Sequence, residues 1–129
     1  MSENVNETTL RESDEEYEVI DVADLDNRIV KIGRRGENET QNVRIDAGAF
    51  LTALPGCTLQ IAAVRPQETD VYLPTVTVDG SGVITWEILD SDVANHGLGF
   101  AEVRAVLGEK VKKSAVFRTK VEYGLDQTI

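Results

Sequence analysis

The sequence predicts an all-β protein: an antiparallel β-sandwich of about seven strands, preceded by an extended acidic N-terminal arm. Three observations predict it. From residue 28 onward, short runs with period-two alternation recur, separated by turn residues. No stretch is long enough to form the helix of a βαβ crossover, which argues against a parallel sheet. The charge is also divided unevenly along the chain. Residues 1–26 hold ten acids and one base, Arg11, a charge of −9, whereas the remaining 13 acids and 12 bases leave 27–129 at −1. The expected organisation is therefore an acidic arm over 1–26 and a nearly neutral sandwich domain over 27–129.

The elements follow in order. Arg28-Ile29-Val30-Lys31-Ile32 is a short β-rich run that Gly33 closes. Gln41 to Asp46 alternates, with Val43 and Ile45 on one face. Ala49 to Leu54 suits one or two helical turns, ended by Pro55-Gly56. Cys57 to Arg65 is a strand with Leu59, Ile61 and Ala63 sharing a face. Val71 to Asp79 is another, and Pro74 inside it signals an edge strand or a bulge. Asp79-Gly80-Ser81-Gly82 is a hairpin turn. It leads into Val83–Ile88, where Ile84, Trp86 and Ile88 point one way and the lone tryptophan anchors the core. Asp90 to Asn95 reads as an N-capped helical turn. Phe100 to Leu107 places Ala101, Val103, Ala105 and Leu107 inward. Gly108-Glu109 is a tight turn, and Lys110 to Glu122 is the last strand, with Ala115, Phe117, Thr119 and Val121 inward.

Composition narrows the function classes. A chain of 129 residues has room for one modest core. No apolar run approaches the roughly 18 residues of a membrane helix, and the acidic N-terminus lacks the pattern of a secretory signal. One cysteine, Cys57, excludes an internal disulfide framework and a multi-cysteine zinc site. The negative balance argues against non-specific nucleic-acid binding. No catalytic constellation emerges. His96, the only histidine, sits in a glycine-flanked loop, and Cys57 starts a strand as a half-buried thiol. Asp90 and Asp92 have the D-x-D spacing of some metal sites, but the same residues cap turns far more often. No cofactor, metal or catalytic residue is expected.

Two segments are candidates for protein contact. In Tyr17-Glu18-Val19-Ile20-Asp21-Val22-Ala23-Asp24-Leu25, apolar residues are interleaved with acids. This is either a solubilising leader running into the first strand or a docking segment that orders on a partner. In the second case Tyr17, Val19, Ile20, Val22 and Leu25 carry the contact. The last hairpin concentrates Lys110, Lys112, Lys113, Arg118 and Lys120. Lysines along an exposed edge discourage strand-on-strand aggregation. The same cations, Lys112, Arg118 and Lys120 foremost, would also attract a partner or the acidic leader. A nucleic-acid role is weak, because few aromatic residues stand nearby to stack bases.

The body then carries a resemblance. Thr77-Val78-Asp79-Gly80-Ser81-Gly82-Val83-Ile84-Thr85-Trp86-Glu87-Ile88 leads into Asp92-Val93-Ala94-Asn95-His96-Gly97. Ala101-Glu102-Val103-Arg104 follows, and then Lys113-Ser114-Ala115-Val116-Phe117-Arg118-Thr119-Lys120-Val121. This order resembles the immunoglobulin-like N-terminal domain of tailed-phage baseplate upper proteins and head-fibre proteins. Its pattern is a turn, a strand with Trp, an Asp-x-Ala turn, a Gly, an acidic strand residue and Ser-x-x-Phe. Thr58 to Pro66 fits that family's third strand, so the resemblance spans about residues 28–125. Asp90 departs from it, since a neutral hydroxyl residue is common there.

The resemblance implies an immunoglobulin-like sandwich in a non-enzymatic virion protein, made in the host cytoplasm. Its expected partners are capsid, tail or baseplate proteins, and fibre-like relatives imply a trimer. Baseplate relatives continue into a receptor-binding chain where this sequence stops at Ile129, so the expected role is attachment, adaptor or decoration. The alternative is a carbohydrate-binding or host-adhesion module using Tyr72, Tyr123 and Phe100. These three form no obvious row in a chain that is only 5% aromatic.

Overall fold

The structure, a computed structural model, describes residues 18–35 and 42–123. The described residues begin with β1 (Val19–Asp21) and a 3-10 turn (Val22–Asp24). The turn is capped by Asp21, whose carboxylate accepts the Ala23 N–H at 2.9 Å. There follow β2 (Ile29–Arg34), β3 (Asn42–Asp46) and α1 (Gly48–Ala53). Next come β4 (Thr58–Val64), β5 (Val71–Tyr72), β6 (Val76–Val78) and β7 (Val83–Glu87). The last described elements are β8 (Gly97–Leu107), β9 (Lys110–Lys113) and β10 (Phe117–Glu122).

Two sheets pack face to face, as predicted. One has the order β1-β3-β7-β6; the other runs β2-β10-β8-β4-β5, with β9 beside the second half of β8. The inward residues foreseen from alternation meet between them. Val43, Ile45, Leu59, Ile61, Ala63, Ile84, Trp86, Ile88, Val103, Phe117 and Val121 are all buried. Each large aliphatic or aromatic side chain here contributes roughly 1.5–3 kcal/mol by leaving water.

Among the described residues ten strands replace the expected seven, and each addition has a cause. The run Val71–Asp79 divides at Leu73-Pro74-Thr75. Proline cannot donate to a ladder, so β5 pairs with β4 in one sheet and β6 with β7 in the other. The run Lys110–Glu122 divides at Ser114. Arg104 pairs with Lys113 and Ala101 with Phe117, so one extra residue is accommodated on the later strands. The Ser114 hydroxyl accepts the Val103 N–H at 2.9 Å in place of a backbone carbonyl, and the Ser114 N–H reaches the Val103 carbonyl. This irregularity reverses the alternation. Ala115, expected inward, is exposed, whereas Phe117 is fully buried. Leu107, also expected inward, is exposed at the end of β8.

The third addition is β1, and it revises the expectation for the arm. β1 pairs with β3 and β2 with β10, both in parallel. Each sheet thus has one parallel pair at an edge that the N-terminal segment supplies; the other pairs are antiparallel. No crossover helix is needed, because β1 and β2 lie in different sheets. Ile20, Val22 and Leu25 are buried in the chain's own core, Leu25 completely. That takes them away from any partner. Val19 is exposed on β1, and Tyr17 lies outside the described residues. Gly33, expected to end β2, sits inside it where the register with β10 shifts.

The hairpin turn is as predicted. Asp79 Oδ1 accepts the amides of Ser81 and Val83 and the Ser81 hydroxyl. The Val83 amide first, then the Ser81 hydroxyl, hold this carboxyl below the usual aspartate range. Gly82 closes the turn at φ +94, where a side chain would be strained. The predicted helical turn at 90–95 is instead a pair of tight turns, closed by Asp92 N–H to the Leu89 carbonyl and Val93 N–H to that of Asp90.

Candidate protein-docking face

Cys57 precedes β4, opposite the end of β8, while His96 precedes the start of β8. The eleven residues of β8 therefore hold them apart, by about 33 Å along a strand. His96 packs edge-on against Tyr123, with ring centroids 5.2 Å apart. Asp92 is 3% exposed and faces the core rather than solvent. It accepts the Tyr72 hydroxyl at 2.6 Å, the Trp86 indole N–H at 3.2 Å and the Leu89 N–H at 2.8 Å. All three donors are neutral, so Asp92 ties β5, β7 and the following turn together. Asp90, its D-x-D neighbour, is exposed. Among the described residues no group of three His, Cys, Asp or Glu could hold a metal ion. Nor is any described helix long and apolar enough to cross a membrane.

Tyr72 is held by this cluster. Burial first, and then its hydrogen bond to Asp92, push the phenol above the usual tyrosine range. The Arg65 guanidinium lies 3.7 Å from the ring centroid. Folded Tyr72 keeps its proton at pH values where an unfolded tyrosine, with a pKa near 10, gives it up. Above about pH 10 the unfolded state thus binds fewer protons, and stability falls as pH rises. The melting temperature is expected to drop more steeply between about pH 9 and pH 11 for this protein than for Tyr72→Phe. Parallel slopes would refute that.

The outward face of the six-stranded sheet has a different character. Cross-strand register places Ile29 beside Arg118, Arg118 beside Phe100, Phe100 beside Val64, and Val64 beside Val71. These five residues form one row across five strands. Ile29 is 57% exposed, Phe100 45% and Val71 56%. Val116, 53% exposed, lies beside the row. The Arg118 guanidinium sits 5.4 Å from the Phe100 ring centroid, a cation–π arrangement that keeps the row from being broken by its one charge. Phe100 and Val116 border two shallow hollows, of about 270 Å³ toward Val64 and Val71 and about 320 Å³ toward Arg28 and Ile29. Solvated sheet faces normally alternate with polar residues outward. A row of apolar side chains at outward positions is therefore a candidate contact surface.

The rim of this face is basic. Glu102 is shared between Arg104 and Lys113, and Glu122 between Lys31 and Arg34. Arg118 and Lys120 have no carboxylate partner among the described residues. Lys120 stands beside Lys31 and Leu98 in the next row. Of the three cations singled out from sequence, Arg118 and Lys120 are thus on this face. Lys112 is not: it pairs with Ala105 on the other side of its strand, and its ammonium lies 5.5 Å from the Phe50 ring. The row was missed in the sequence because register between strands is not written in any one strand. The available signal was Leu98 and Phe100, apolar at outward positions that Glu102 and Arg104 continue with charge. The aromatic residues considered for sugar binding are separated: Phe100 is on this face, Tyr72 is at Asp92 and Tyr123 is against His96.

The chain matches no protein-family model and no curated protein. Among solved structures, its fold is similar to the N-terminal domain of phage TP901-1 ORF48. The TM-score is 0.51 at 13% identity, covering 81% of this chain and 94% of that one. The likeness is one of fold. A second similarity is to a nucleoside hydrolase-related hypothetical protein from Saccharophagus degradans that is associated with carbohydrate metabolism. Its TM-score is 0.30 at 14% identity, covering 76% of this chain and 22% of that one.

Proposed function

We propose that this chain is a non-enzymatic structural component of a phage virion, and that it attaches to other virion proteins through the outward face of its six-stranded sheet. The observation that carries the reading is the fold likeness across 94% of the N-terminal domain of phage TP901-1 ORF48. It agrees with the ordered pattern from Asp79 to Phe117. That pattern has physical roles in this fold: Trp86 is the core anchor, Asp92 binds it, and Ser114 sets the irregularity that turns Phe117 inward. The expected partners are capsid, tail or baseplate proteins of the same virion, or further copies of this chain in a trimer. The sandwich supplies a rigid platform. The row Ile29–Arg118–Phe100–Val64–Val71 supplies apolar area, and the basic rim steers acidic partner surfaces.

The test is incorporation. Particles assembled with Phe100→Glu together with Val116→Glu are expected to carry at least about tenfold less of this protein, since each change buries a charge at the centre of the contact. Both positions are exposed in the free chain, so the melting temperature should stay within a few degrees of the parent's. Undiminished incorporation of the stable double variant would overturn the assignment of this face.

A further inference from the structure

We infer that the hollow between Val64, Val71, Phe100 and Val116 is a specificity pocket, which receives one bulky apolar side chain of a protein partner together with a carboxylate next to it. The inference rests on the reading of this face as a docking surface and names the chemistry the surface selects. The hollow follows from the sequence. On β4, Ile61 and Ala63 face the core, so Ala62 faces outward, opposite Glu102. Ala62 is nonetheless only 3% exposed. Its methyl group is a floor between the taller walls of Val64 and Phe100. The far side is open because the chain leaves the sheet between β9 and β10, where Val116 borders the hollow. The resulting volume of about 270 Å³ exceeds the roughly 150 Å³ that accommodates a benzene ring. One aromatic or branched aliphatic side chain therefore fits.

One end of the hollow is cationic. Glu102, Arg104 and Lys113 border it. The Glu102 carboxylate accepts the Arg104 Nε–H at 2.6 Å, and the Lys113 ammonium lies 3.8 Å from the same oxygen. One carboxylate against two cations leaves a positive excess. A guanidinium carries five N–H donors, and Arg104 spends Nε on Glu102, so donors remain for a second carboxylate. Both cations can be met from solvent, since their side chains are 28% and 53% exposed. An apolar floor and walls with cations at one end match a residue such as phenylalanine or leucine beside an aspartate or glutamate. A contact of this face with itself in a second copy would set Arg118 and Lys120 against their own like charges. The occupant is therefore an acidic surface of another protein.

The test titrates the full chain, isotopically labelled, with N-acetylphenylalanine, which joins an apolar ring to a carboxylate. Amide NMR shifts are expected at Ala62, Val64, Glu102 and Lys113 and not on the β1-β3-β7-β6 sheet. A probe of about 15 non-hydrogen atoms should dissociate in the low millimolar range. N-acetylphenylalaninamide, which lacks the charge, and acetate, which lacks the ring, should each bind at least about fivefold more weakly. Ala62→Leu raises the floor and should weaken the acid at least about tenfold. Glu102→Gln with Arg104→Gln and Lys113→Gln keeps the walls and removes the charges; acid and amide should then bind within about twofold of each other. The inference is overturned by absent shifts up to about 20 mM probe, or by equal affinity of acid and amide in the parent. Shifts that follow protein concentration rather than probe would also overturn it, assigning the hollow to a contact between copies. No virion protein enters this measurement. A failed probe beside lost incorporation of the Phe100→Glu, Val116→Glu variant would remove the pocket and keep the docking face.

Discussion

Asp92→Ala is expected to destabilise the fold by about 3–4 kcal/mol, whereas Asp92→Asn should cost about 1 kcal/mol. Asp92 is buried and takes three hydrogen bonds, from the Tyr72 hydroxyl, the Trp86 indole and the Leu89 amide. Alanine strands the indole N–H in the core and leaves the other two donors half-buried. An unsatisfied buried donor costs about 1–3 kcal/mol, and the space left by the carboxylate adds to that. Removing a buried carboxylate relieves some desolvation, which keeps the total below the sum of three charged hydrogen bonds. Asparagine retains the geometry. Its carbonyl oxygen can accept from Trp86 and Leu89, and its amide can donate to the Tyr72 hydroxyl, which accepts as well as donates. Urea unfolding of the two variants checks the difference. Equal losses would mean that charge, rather than hydrogen-bond satisfaction, fixes the cluster.

Asp92 also marks how far the sequence can be read. The residue was legible as a turn former, because Asp and Ser before an apolar pair favour local backbone hydrogen bonds. That its carboxylate reaches Trp86 and Tyr72 was not, since those contacts depend on how β5 and β7 come together across two sheets. The same division holds elsewhere. Alternation in Leu59-Gln60-Ile61-Ala62-Ala63 and in Ile84-Thr85-Trp86-Glu87-Ile88 assigned the inward faces correctly, because one buried face imposes period two. At Ser114 the alternation breaks by a single residue, and Ala115 and Phe117 cannot both follow one pattern. The acidic residues around Ile20, Val22 and Leu25 concealed that these three are core residues. Composition averaged over 1–26 outweighed three apolar side chains whose burial depends on β3 and β10, far along the chain. The apolar row was least legible of all, because its members come from five strands with one residue each.

Gly99→Ala is expected to destabilise by about 2–3 kcal/mol, although alanine restricts the unfolded chain and by that route alone would stabilise by about 0.4–1 kcal/mol. Gly99 is buried in β8, opposite Thr119 of β10 and next to the crossing of β4. A methyl group built there would stand 2.4 Å from the Val64 carbonyl oxygen, 2.8 Å from the Thr119 hydroxyl and 3.1 Å from Pro66. The hydroxyl can rotate away, but Val64 is backbone in a paired strand and Pro66 is fully buried. Relief must therefore come from moving β4 against β8, which strains the ladder between them. Gly80→Ala is the matched control, because a methyl there meets nothing within 4 Å; it should stay within about 0.5 kcal/mol of the parent. The consequence extends to function. Leu98 and Phe100 flank Gly99 and point outward, and Val64, which the new methyl displaces, is Phe100's neighbour in the apolar row. Gly99→Ala should thus weaken incorporation into particles beyond what its lost stability explains. Equal incorporation per folded molecule for Gly99→Ala and Gly80→Ala would show that the row tolerates movement between β4 and β8.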